Sequence, residues 1–458
     1  MAGGVDLIYR FNTDVLSFKR EGNRIVLDVR DHRPIGFTVA TASCADAIEA
    51  LSDGGATLFR LDEIMAAAGE PAVADRAIRY YLERFAFGRL LAWDLADGDG
   101  PLGTVAALAG RYQPTLGELP VGDLQFCRFA YMRQADGGAA LESGSVRSRV
   151  DLNGRGLAML ARLLAAPAPA APASFAAALW RLGFLEAREA VEPAARRCWE
   201  FQDLLMHEAS RNSRDAVTVG GTYRFDGQFA SPPAVKPAMP GERIELDRVD
   251  PGRIRNASNA VDDVQARRRS VRRYAGEPVS HASVSEFLWR VCRTTGYIES
   301  SRQDLLSRPY PAGGSINELE FYLAVRRCAG LEPAVYHYDS HGHALVRLAA
   351  SGRTATKIVE RSAAAMGLAD SDAKPDLTIV IASRLPRLAW KYQGMAYRAS
   401  LMNAGAVFHL MYMVATDMGL APCANGTGDS RLLEEVTGLD RFEETAIAEF
   451  ALGMPGAP

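Results

Sequence analysis

Residues 231–241 (SPPAVKPAMPG) constrain this chain more than any other stretch, because they hold four prolines and a glycine. Each proline removes a backbone donor and fixes φ near about −65°, so neither a helix interior nor a central strand accepts such a run. The chain must therefore build separate structures on either side, and residues 231–260 read as a linker. Weaker breaks lie at 97–101 (DGDGP) and in the Ala-Pro run 165–174. A length of 458 residues gives room for several domains.

Upstream of the connector the pattern is short helices closed by a small β element. A strand is expected at 24–29, helices near 45–51, 61–68 and 73–85, and a strand at 89–95. A second round follows, with strands near 126–133 and 145–151 and helices at 154–164 and 174–182. This is the order of a winged-helix domain, met twice, at 1–100 and 101–230. Neither candidate recognition helix clusters Lys and Arg, which argues against nucleic acid and for peptide binding or scaffolding. Downstream, residues 261–458 alternate strands (320–325, 334–338, 377–382, 446–452) with helices (281–293, 354–366, 397–418, 430–437), the signature of an α+β sandwich.

A net charge of −3 gives no bulk attraction to nucleic acid or anionic membrane. Six scattered cysteines without a CxxC pair fit a reducing cytoplasm rather than a disulfide or zinc framework. The first residues, MAGGVDLIYRFN, lack a signal-peptide pattern. No window is expected to reach the apolar length that spans a bilayer.

Four segments carry chemistry. Residues 267–274 (RRRSVRRY) place five arginines and a serine hydroxyl just ahead of a helix, donors suited to a phosphate monoester or simply to a solvated turn. Residues 308–320 (RPYPAGGSINELE) run into a strand, and their paired glycines let backbone approach a flat ring or a phosphate. Next comes Lys391-Tyr392, ahead of a long helix. Last is the glycine loop 426–429 (GTGD) at a helix N-terminus, a candidate anion cradle.

In this order the segments resemble the nitroreductase superfamily and, within it, the SagB-type azoline dehydrogenases. The resemblance implies an FMN domain in which Arg268, Arg269, Ser270 and Arg272 bind the phosphate, ribityl chain and pyrimidine edge. It puts Pro311, Ala312, Gly313 and Gly314 on the family's Pro-Ser-Gly-Gly loop, with Ala312 in place of the serine, so a hydroxyl has to come from Ser315. Asn317 falls where a polar residue meets the isoalloxazine, Gly426 and Gly428 near the flavin, and Arg441 where basic phosphate ligands occur. Lys391 and Tyr392 match the catalytic pair of azoline oxidases, and no metal is implied.

The implied reaction removes a Cα proton and a Cβ hydride from a thiazoline or oxazoline in a ribosomally made, modified peptide. FMN takes the hydride and dioxygen recycles it. Neutral Lys391 or Tyr392 takes the proton, and the sequence does not rank them. The family is dimeric, which implies a homodimer, with an azoline-containing precursor peptide and a cyclodehydratase as partners. The arginine turn and both glycine loops are expected to converge around one FMN. Rival readings are Cα–Cβ dehydrogenation without an azoline, an NAD(P)H-dependent nitro or quinone reductase, and a non-catalytic peptide scaffold.

Overall fold

A computed structural model describes residues 4–67, 71–108, 112–115, 119–135, 137–165, 173–211, 220–371 and 373–456. The chain divides into two compact units, residues 1–217 and 218–458.

In the first unit, helices Ala42–Ser52, Leu58–Ala66 and Pro71–Phe87 precede the hairpin Leu91–Asp97/Gly100–Ala107. Thr41 and Thr57 cap the first two helices, each accepting a backbone N–H with its side chain. The boundary expected at residue 100 lies in the turn of that hairpin. Strand Gly100–Ala107 then pairs with Ser148–Leu152, and one seven-stranded sheet runs through both halves. The hydrogen-bond ladder crosses the expected boundary, so the two halves form one unit rather than two.

In the second unit the strands of the main sheet are β1 (Glu242–Glu245), β2 (Leu319–Val325), β3 (Ala334–Asp339), β4 (Ala344–Arg347), β5 (Leu377–Ser383), β6 (Ala421–Asn425) and β7 (Thr445–Gly453). They form one antiparallel sheet in the order β1-β4-β3-β2-β5-β7-β6. Besides two short helices, Pro251–Ala257 and Val261–Arg267, the described α-helices of this unit are α1 (His281–Cys292), α2 (Gly352–Ala365), α3 (Leu385–Lys391), α4 (Ala396–Asp417) and α5 (Ser430–Thr437). Every residue of β2 and β5 is buried, because both sheet faces are covered. Phe321, Leu323 and Val325 enter the core shared with α1 and α4, whereas Tyr322 and Ala324 enter the one shared with α2 and α5. This three-layer α+β arrangement is the fold expected for residues 261–458.

α4 is long and apolar enough, by length and composition, to cross a membrane, contrary to the expectation that no window is. Its apolar stripe packs on the sheet and its Ser400 and Asn403 are buried and hydrogen-bonded. It is the core helix of this unit.

The proline-rich stretch is part of the unit rather than a free linker. Thr222 and Tyr223 N–H donate to the Lys391 carbonyl at 2.9 and 3.2 Å. Trp390 Nε1 donates to Phe229 O at 3.1 Å, Arg387 Nη1 to Pro232 O at 2.6 Å, and Arg384 to the carbonyls of Pro233 and Ala234. Lys236 pairs with Glu444 and donates to Tyr322 OH at 2.7 Å. Residues 222–236 thus track α3 from its last residue back to its start. Prolines lack donors but keep carbonyls, and buried guanidiniums of α3 use them. β1, also inside the expected linker, extends the sheet.

Candidate active site

The glycine loop is shaped by three left-handed positions, Gly314 (φ 60°), Ser315 (φ 56°) and, after the right-handed Ile316, Asn317 (φ 49°), a backbone that side chains with a Cβ disfavour. Glu318 anchors it from inside the protein. This fully buried carboxylate accepts from Ser400 Oγ at 2.9 Å and from Asn403 Nδ2 at 3.1 Å. The Asn403 carbonyl oxygen is thereby turned to the Gly313 N–H, 3.0 Å away. Beyond Gly314 stands the Lys-Tyr pair. Lys391 Nζ donates to Gly314 O at 3.4 Å. A Cβ on Gly314 would lie 2.2 Å from Tyr392 OH and 2.7 Å from Lys391 Nζ, so it would push the ends of both side chains aside, and the left-handed φ of 60° itself favours glycine there.

α3 delivers this pair, and Arg387 holds α3 in place. Its guanidinium, with no exposed surface, donates to Pro232 O, to Asp304 O at 2.9 Å and to Ile316 O at 3.0 Å. One side chain therefore ties the proline stretch, the 304 loop and the glycine loop to the helix ahead of Lys391. Burial, then the neighbouring Arg384 charge, lowers its pKa to about 10.

A second cluster surrounds the arginine turn. Ser270 Oγ lies 2.7 Å from Tyr412 OH, which accepts from Ala424 N–H at 2.9 Å, and Val271 N–H donates to Pro422 O at 2.8 Å. The Arg268 guanidinium sits 5.3 Å from the centre of the Tyr412 ring. Arg268, Arg269 and Arg272 are exposed. Among the described residues, they have no carboxylate partner. Unpaired guanidiniums beside two hydroxyls suit a phosphate.

The two clusters meet α4 on opposite flanks. Asn403 and Tyr412 are nine positions apart, which is about two and a half turns and roughly 13 Å along the axis. Within one chain the arginine turn and the Gly313–Gly314 loop therefore lie on different flanks of this helix.

The remaining expected site residues lie as follows. Pro311 is exposed, Ala312 packs against the core under α4, and Ser315 is exposed. Asn317 is 3% exposed and donates its amide to Leu306 O, leaving Oδ1 without a partner. Gly426 is exposed, and a Cβ on Gly428 would meet Glu449 Oε1 at 2.6 Å. The loop before α5 is not an open anion cradle. Asp429 caps α5 with its own carboxylate and pairs with Arg361 and Arg431; these hydrogen bonds, chiefly from Arg431, hold its pKa down at about 2. Arg441 is exposed and stacks over Phe442.

Sequence reasoning missed Glu318, Arg387, Asn403 and Tyr412. Their one visible signal is polarity inside apolar runs, above all Ser400 and Asn403 on the buried stripe of α4.

A helix-covered antiparallel sheet thus carries a glycine loop, a lysine–tyrosine pair and an unpaired arginine turn on an α+β domain. Residues 266–454 match the nitroreductase family, and residues 124–216 match the cyanobactin oxidase ThcOx family. The two matches support a resemblance to SagB-type dehydrogenases of the nitroreductase superfamily. A putative nitroreductase of Methanocaldococcus jannaschii is 24% identical over 202 residues, 44% of this chain and 93% of that protein. The trifolitoxin-processing protein TfxB of Rhizobium leguminosarum bv. trifolii is 28% identical over 150 residues, 32% of this chain and 39% of TfxB. Among solved structures, a putative nitroreductase from Ralstonia eutropha covers 50% of this chain and 100% of its own, at 19% identity and TM-score 0.35. The Escherichia coli microcin synthetase McbBCD complex with truncated pro-MccB17 covers 53% and 84%, at 19% identity and TM-score 0.34.

Proposed function

We propose that this chain is an FMN-dependent oxidase that converts azolines to azoles in a ribosomally made, modified peptide. One observation carries the reading: Lys391 Nζ and Tyr392 OH both front the Gly314 backbone, within 2.7 Å of where a Cβ on Gly314 would stand. A nitro- or quinone-reductase has no need of a base at that place. The cyanobactin oxidase match and the name of TfxB support a peptide as substrate.

The residues fit FMN. Arg268, Arg269, Arg272 and Ser270 would hold the phosphate, and the Gly313–Gly314 backbone would lie against the ring. FMN, when bound, supplies the hydride acceptor that side chains cannot. The chain's own part is to orient the peptide and accept the Cα proton, at Lys391 Nζ or at Tyr392 OH. Because the two clusters flank α4 on opposite sides, the reading includes a homodimer, in which the arginine turn of one subunit completes the glycine loop of the other. The first unit would hold the precursor peptide or dock a cyclodehydratase, in the cytoplasm.

The test is purification, an absorption spectrum and incubation with an azoline-bearing peptide. We expect a yellow protein and loss of two hydrogens per ring by mass spectrometry. Lys391→Ala and Tyr392→Phe should each lower turnover roughly a hundred- to ten-thousandfold with FMN retained. A colourless protein, or flavin bleached rapidly by NADPH with the azoline untouched, overturns the proposal.

A further inference from the structure

We infer that Tyr223 is a positioning residue for the Lys391–Tyr392 pair, an inference that builds on the role proposed for that pair. Tyr223 reaches Lys391 in two ways. Its backbone N–H donates to the Lys391 carbonyl at 3.2 Å, beside the Thr222 N–H at 2.9 Å. Its ring then meets the side chain of the same lysine, with Nζ 5.8 Å from the ring centre. The Tyr392 ring lies 5.4 Å from Nζ, and the Gly314 carbonyl accepts from it. The ammonium is thus bounded by two aromatic rings and one carbonyl oxygen, which leaves it few orientations. Ring faces attract an ammonium through their quadrupole.

Two further contacts fix the Tyr223 ring itself. It packs edge-on against Trp390, with centroids 5.8 Å apart, and it lies 4.8 Å from the Arg302 guanidinium. Trp390 is in turn held by the Phe229 carbonyl. The backbone of Tyr223 takes φ 50°, a left-handed value that an aromatic residue rarely adopts. The Asp226 N–H closes the turn by donating to Tyr223 O at 2.9 Å. Gly221 completes the fit, since a Cβ there would meet the Lys391 side chain at 3.2 Å and the Tyr223 ring at 2.9 Å. An unusual backbone conformation, a glycine approach and a ring contact all serve one lysine. Nothing in that geometry requires substrate or flavin to be present.

The test is amine acetylation of the whole chain, with modification of Lys391 and of exposed Lys357 quantified by mass spectrometry. Replacing the ring with an aliphatic chain, in Tyr223→Leu and separately in Tyr223→Met, frees the ammonium from its ring contact. Acetylation of Lys391 relative to Lys357 should then rise roughly two- to fivefold, the factor carried by an exposed cation–π contact. Tyr223→Phe, which keeps the ring, should label as the native chain does. With an azoline peptide, the Leu and Met variants should lose kcat at unchanged KM and Tyr223→Phe should restore it. Unchanged labelling in both aliphatic variants, or Tyr223→Phe labelling as they do, overturns the inference. Labelling needs neither substrate nor flavin, so that failure is separate from failure of the azoline reading, in which the native enzyme leaves the peptide unaltered while Lys391 labels as expected.

Discussion

Glu449 is a carboxyl set in a strand of apolar residues, 6% exposed, with Oε2 lacking a partner. Burial raises its pKa to about 7; the Arg361 charge opposes the shift and Asp429 adds to it. The unfolded chain titrates this group near 4.5, so the folded state favours the protonated form. The stabilisation is complete below pH 4.5 and is lost as pH rises through about 7. A shift of this size is on the order of 3 kcal/mol. Glu449→Gln, which stays neutral, should therefore gain by that order relative to the native chain between pH 4.5 and pH 8, in denaturant unfolding followed at both values. An equal pH response in the two proteins would show that Glu449 is not the group responsible. Nothing in the local sequence marks this position, because its pKa follows from what covers the strand.

Strong elements were legible at the scale of helices and strands. The near-continuous apolar runs LEFYLAV and LTIVIAS predict β2 and β5 to within a residue at each end, and α5 is met at both ends. The misses have physical causes. α3 is not among the expected helices; Pro386 sits in its first turn, where a missing N–H costs nothing. β6 is not among the expected strands; it is the sheet edge, where Pro422 is tolerated. The buried polar network of α4 is an element-scale property as well. Asn403→Asp keeps an acceptor for the Gly313 N–H but removes the donor to Glu318 and sets two carboxyls side by side. We expect a loss of about 2–3 kcal/mol. Thermal unfolding checks this, and a variant as stable as the native chain would refute the anchoring role of Asn403.

At the scale of the whole molecule, α4 turns Met402, 63% exposed, outward together with Gly405 and His409. A largely uncharged outer face between the two clusters is where a second copy would have to pack in the proposed dimer. Met402→Glu adds a charge at a position exposed in one chain, a change usually within about 0.5 kcal/mol for folding. Light scattering should show a monomer that retains its far-ultraviolet spectrum and binds FMN weakly; a dimer that keeps its flavin would contradict the arrangement.

Residue chemistry and its order along the chain were the sequence's own contribution: arginine turn, glycine loop, Lys-Tyr pair and two strands apolar on both faces. Those are local properties, set by side-chain type and by periodicity. Tertiary structure alone decided which of these segments meet. Helical phase places Asn403 and Tyr412 on opposite flanks of α4, and buried carbonyls of a proline-rich stretch engage the guanidiniums of α3. Both depend on packing between residues far apart in the chain, where spacing along the sequence carries no information.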